Sequence, residues 1–264
     1  MIRRVTALAV LVWLGAIRRK ELYVLLVLLA GLFGMTVSGD LFGLGGMATY
    51  IQDVGLLLAW LFGWILAIRT ASRELPAEEM RGTLLPLLAK PVSRLAILLG
   101  KWLGAWTLAA AATALFDALV LLTALAAGSR PDGAAWLQGY LCQAACLAAL
   151  AALGIAFSTR LTGDAAAALT AVLSAAAFLV VPRIPELLIA ETGVRAALLE
   201  ALYHALPHFE VFDMRLRIVH GFGPLPMAAL LQILAYGAAL TALFLAAAWL
   251  AFRRRPVDRR GHTL

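Results

Sequence analysis

Six stretches of this sequence, 21–39, 52–69, 95–127, 134–157, 164–181 and 226–252, stay predominantly apolar for 18 residues or more. A bilayer core of roughly 30 Å is crossed by about 20 such residues in helix. The runs are continuous and rich in Leu and Ala, without the period-two alternation of barrel strands, so each reads as a helix. Composition agrees: 63% of the 264 residues are hydrophobic and 14% charged, where soluble domains carry about a quarter charged residues. A soluble fold of this length has too little interior to hide that surface. A mean hydropathy of +0.92 and only two cysteines exclude a soluble enzyme, a disordered chain and a disulfide scaffold. The expectation is an all-α polytopic membrane protein of six transmembrane helices in one domain. The third run covers about 50 Å of helix, too long for an upright span, so it must tilt, kink or project.

Lys and Arg set the orientation. Seventeen of the 22 cations fall before the first run, around the 71–94 connection, at Arg160 or after the last run. Arg130, Arg183, Arg195, Arg215 and Arg217 fall on the other side. Both termini are therefore expected in the cytoplasm, and the net charge of +7 reflects topology and anionic headgroups, not nucleic acid. Val5–Ile17 is a short apolar stretch with basic flanks, which a secretory leader also shows. Residues 17–20 (Ile-Arg-Arg-Lys) are not a small-residue cleavage site, so 1–20 is read as an interfacial helix on the inner leaflet.

Ser38–Met47 is a Gly-rich outer loop and 182–226 a long outer segment punctuated by prolines. The connection 71–94 is polar and cytoplasmic. Within it Pro76 suits the first turn of a helix, with Glu78 and Glu79 near the positive end of its dipole. Gly82-Thr83 interrupts that helix, and Ser93 is placed to cap the third span. Lys101 lies inside the span, where its stem allows it to snorkel back to the interface. This describes a short charged helix attached to two spans, suited to a partner that pushes on the membrane helices. An ordinary solvated loop would use the same residues, and spacing alone leaves the two open.

The stretch EMRGTLLPLLAKPVSRLAILLGK (79–101) resembles the hallmark of ABC-2 type exporter permeases. YHALPHFEVFDMRLRIVHG (203–221) is similar to the family's outer segment, and FRRRPV (252–257) to its usual ending. With the six-span layout the likeness covers nearly the whole chain; Pro86 departs from it, where many relatives carry a polar residue. The resemblance implies an ABC-2 permease fold in a bacterial inner membrane and a transmembrane subunit that pairs with a second copy or a similar chain. It also implies two cytoplasmic ATPase subunits docking on Glu78, Glu79, Met80, Arg81, Gly82, Thr83 and Leu84. ATP and Mg would be bound by those subunits, with no cofactor in this chain. Length and the outer Leu-Pro segment resemble the compact branch that includes the permease of nitrous-oxide-reductase maturation, a copper-processing system. Independently, no G-x-x-x-x-G-K-[ST] occurs, so energy for uphill transport comes from another subunit or an ion gradient. The absence of H-E-x-x-H and G-x-S-x-G argues against an enzyme.

Asp117 lies inside the third span, where a carboxylate marks a substrate path or a polar helix contact; Thr113 and Thr123 are its candidate hydrogen-bond partners. Glu21 and Asp164 fall at helix starts, where they complement the dipole. Cys142 and Cys146 share one face of the fourth span and are candidate soft-metal ligands. His204 and His208, with Glu210 and Asp213, are candidate divalent-metal ligands; neither set has full ligand spacing. Two other function classes stay open: a gradient-driven secondary transporter, which needs paired midplane ionisable groups, and a signal-transmitting scaffold gripping a periplasmic protein through the outer segment.

Overall fold

The computed structural model describes residues 2–18, 27, 31, 34, 47–80, 82 and 93–253. Most of the first apolar run and of the Gly-rich loop, with Glu21, Arg81, Thr83, Leu84, Pro86 and the arginines after Arg253, lie outside the described residues.

The described residues are helical, with no strand among them. Helix α1 is Ile2–Arg18, α2 Met47–Met80, α3 Arg94–Ala126, α4 Gly133–Ser158 and α5 Gly163–Val180. Short α6 (Ile184–Ala190), α7 (Val194–Ala205) and α8 (Arg215–Val219) precede the closing helix α9, Met227–Arg253. Five candidate spans result: Thr49–Met80, Arg94–Ala126, Gly133–Ser158, Gly163–Ile189 and Met227–Arg253. Four begin within a residue or so of the apolar runs. Among the described residues each remaining apolar run thus lies in a helix long enough to cross a bilayer.

Ser93 Oγ accepts from the Ala96 amide at 3.2 Å, capping α3 as its position suggests. Asp132 caps α4 by accepting from the amides of Ala134 and Ala135 at 2.8 and 3.3 Å. Helix α3 runs unbroken for 33 residues.

Two boundaries differ from the sequence expectation. Pro76 does not open a new helix; it sits inside α2, which continues through it to Met80. The missing donor frees the Ser72 carbonyl, which lies 3.6 Å from where a Cβ on Gly163 would be. Nor does the fifth span stop at Pro182: a 3-10 turn at Val181–Arg183 carries the chain into α6. Pro182 and Pro185 each fall at the first turn of a new segment, where their missing N–H is not needed.

Helix α4 is the centre of the bundle, touching α2, α3, α5 and α9. Its stretch Ala149–Ala152 is fully buried. Small residues permit this: a Cβ on Gly154 would lie 2.9 Å from Ser72 Oγ and 3.3 Å from Ala71 Cβ, so α2 and α4 approach closely. Large exposed side chains such as Leu115, Leu122, Leu137, Val172, Leu179, Leu231 and Leu243 form the outer surface that acyl chains cover. Helix α1 lies against α3, with Leu8 and Val12 seated over Gly100 and Gly104 and Trp13 Nε1 donating to Thr107 Oγ1 at 3.0 Å.

Candidate coupling site and an intramembrane polar cluster

Glu74 and Glu78 are one turn apart near the end of α2 and so share a face. Across from them, Lys101 enters from α3. Its Nζ lies 2.9 Å from Glu74 Oε2 and also contacts Glu78 Oε1. Lys101 is 2% exposed and Glu74 5%. The lysine therefore does not snorkel to the interface. The extension of α2 past Arg69 brings two carboxylates within bonding distance, and pairing satisfies the ammonium inside the protein. Such a buried triad says little about net stability, but it fixes which turn of α2 faces which turn of α3.

Neighbouring contacts tie the other helices at this basic end. Arg73 Nε donates to Asp164 Oδ1 at 3.2 Å, linking α2 to the first turn of α5, where the carboxylate also complements the dipole. Asp164 is largely exposed, so this pair is worth about 0–1 kcal/mol. Arg94 Nη1 donates to the carbonyls of Phe252 and Arg253 at 2.8 and 3.0 Å, closing the end of α9. Between Arg73, Pro76, Ala77, Glu79 and Met80 on α2 and Arg160–Asp164 lies an open groove of about 500 Å³.

Of the docking residues named from the sequence, four are described. Glu78 turns inward to Lys101, while Glu79 and Met80 are exposed at the groove. Gly82 takes φ +68 and its amide donates to Glu79 O at 3.0 Å, a left-handed stop that only glycine adopts cheaply.

The second site lies deeper. Asp117 is 5% exposed and its Oδ1 has no hydrogen-bond partner. Neither threonine nominated for it serves. Thr123 Oγ1 donates to Val120 O at 2.9 Å; Thr113 Oγ1 is itself without a partner and points at Gly63, 2.6 Å from where a Cβ would stand. Asp117 instead lines a small cavity with Trp60, Tyr140, Gln143 and Arg215. Because that carboxylate oxygen is buried unsatisfied, Asp117→Leu is expected to stabilise the protein by about 1–3 kcal/mol. Thermal unfolding in detergent checks this; a clear loss of stability would show that the carboxylate holds the bundle together.

Arg215 reaches this cavity because part of the 182–226 segment packs into the bundle. Phe209, Phe212 and Met214 are buried. Phe209 meets Trp64 edge-on at 5.8 Å, and the Arg215 guanidinium lies 4.9 Å over Trp60. Ionisable groups on this loop pair locally: Arg215 grips Asp213 through two bonds of 2.9 and 2.7 Å, and His208 Nδ1 lies 2.9 Å from Glu210 Oε1. Gln138 pins the far end by accepting from the Leu225 amide and donating to its carbonyl. Sequence reading did not foresee this packing of 209–215 on the spans; the i,i+3 phenylalanines Phe209 and Phe212 were the available signal.

Cys142 and Cys146 are free, buried and packed in the main core. His204 is exposed on α7 and touches Tyr203. Among the described residues no three His, Cys, Asp or Glu side chains gather as a metal-binding group.

A bundle of spanning helices cross-tied by ion pairs at one end, with a re-entrant loop packed into it, is the architecture of a multi-pass membrane transport subunit. The chain belongs to the ABC-2 family transporter proteins, whose family model matches residues 13–257. It is thus a membrane permease component of an ABC transporter, and membership implies partnership with an ABC ATPase. No curated protein matches the sequence.

Proposed function

We propose that this chain is the membrane subunit of an ATP-driven exporter in a bacterial cytoplasmic membrane. It works as a dimer with two ATPase subunits that bind ATP and Mg. The excess of cations at the tied end puts that end in the cytoplasm, with α1 along the inner leaflet. The 81–92 connection, together with Glu79, Met80 and the groove beside them, is the docking surface.

One observation carries the reading: Lys101 joins the end of α2 to α3 through Glu74 and Glu78. A rigid-body push on the α2 end therefore moves α3 with it, and the Arg73–Asp164 pair extends the movement to α5. Displacement of these helices opens or squeezes a path on which Asp117 is the buried carboxylate of α3. Coupling of this kind needs a discrete mechanical contact between two rearranging bodies, and the tied end supplies it.

Exchanging the charges, Glu79→Arg with Arg81→Glu, is expected to abolish co-purification of the ATPase from native membranes. Glu200→Lys, on exposed α7, should leave recovery unchanged. Normal recovery of the ATPase with the exchanged pair overturns the docking assignment.

A further inference from the structure

Helices α3 and α9 flank α4 and meet at the basic end, where Arg94 holds the last carbonyls of α9 and stacks 5.6 Å from the Phe252 ring. Further into the membrane they part. Trp102 and Trp106, stacked at 5.2 Å and 15°, form one wall; the Leu234–Leu245 stretch of α9 forms the other, over a floor of Ala145 and Ala148. The cleft holds about 350 Å³. At Gly237 the helices pack closely, since a Cβ there would sit 3.0 Å from both Ala145 and Phe212.

Every polar hydrogen in these walls is already used. The indole N–H groups donate to Ala148 O and Ala144 O at 3.0 and 2.9 Å, and the Thr241 hydroxyl donates to Gly237 O at 2.8 Å. The surface offered to an occupant is hydrocarbon, open to the bilayer past exposed Ala238 and Ala242. A narrow, apolar cleft of this kind suits an acyl chain. About 12 Å along α9 from Leu245, Arg253 stacks 4.8 Å over Trp249, and Arg160 donates to Ala251 O at 3.3 Å. Both arginines are exposed, so the mouth of the cleft carries positive charge at headgroup level.

We propose that this cleft is a lipid site: it holds one acyl chain of an anionic phospholipid, whose phosphate rests on Arg253 and Arg160.

The full chain reconstituted in phosphatidylcholine, with a small fraction of chain-brominated phosphatidylglycerol, tests this by tryptophan quenching. Quenching should fall in Trp102→Phe/Trp106→Phe, by the share those two residues carry, and fall when Ala238→Phe plugs the cleft; Ala242→Phe, one turn along, serves if the first plug fails to fold. Arg253→Gln should weaken the preference for brominated phosphatidylglycerol over brominated phosphatidylcholine about fivefold, the effect of one surface charge. Equal quenching by the two brominated lipids, or quenching unchanged by either plug, overturns the proposal.

Discussion

Lys101→Met is expected to destabilise the protein by about 3–5 kcal/mol, because it leaves the buried Glu74 carboxylate facing Glu78 without a cation. At 2% and 5% exposure for Lys101 and Glu74, water cannot replace the lost partner. Removing the more buried carboxylate as well reverses most of the effect: Lys101→Met with Glu74→Leu should recover most of that loss, since apolar packing can replace a buried pair and Glu78, the partner left over, is less buried. Chemical unfolding in detergent measures both. Parental stability in the single variant would mean that the triad is hydrated and carries little. The pair of variants also bears on coupling. If the triad sets the register of α2 against α3, the double variant folds but loses ATP-driven transport.

The second large effect is steric. Gly100 and Gly104 form a G-x-x-x-G face on α3, the spacing that lets helices approach backbone to backbone. Here the partner is α1 and not another span. A Cβ on Gly104 would stand 2.7 Å from Val12 Cβ and 2.9 Å from the Ala9 carbonyl, and backbone cannot step aside as a flexible side chain can. Gly104→Val is expected to cost about 1–3 kcal/mol and to release α1, breaking the Trp13–Thr107 bond. Hydrogen exchange should rise across 2–18 while α4 stays protected. Gly133→Ala, with open space around it, is the control and should change nothing. Unaltered protection of α1 in Gly104→Val would show that the contact yields without cost.

Local signals in the sequence were reliable where one residue type has one job. Ser93 caps α3, and Gly82 ends α2 in the left-handed conformation. Pro76 misled because a proline is tolerated at a first turn and, at a cost, inside a helix. Nothing local distinguishes the two, and the decision rests on what the extra turns of α2 reach. The stretch proposed for docking was legible as a family motif, but not that Glu78 faces Lys101 while Glu79 faces outward. For Asp117 the position was legible and the neighbours were not, since Trp60 and Arg215 are distant in sequence.

What the chain's order of residues determined alone is the presence of the five described spans, where four of them begin, and the segments in which cations gather. Those follow from the transfer of apolar runs and charges between water and lipid, which depends on each segment separately. Which faces meet was decided only in three dimensions. In a span nearly every position is apolar, so hydropathy does not separate the lipid-facing side from the packed one. The Lys101 triad, the seat of α1 on Gly100 and Gly104, and the return of Phe209–Arg215 into the bundle all depend on shape and on partners far along the chain.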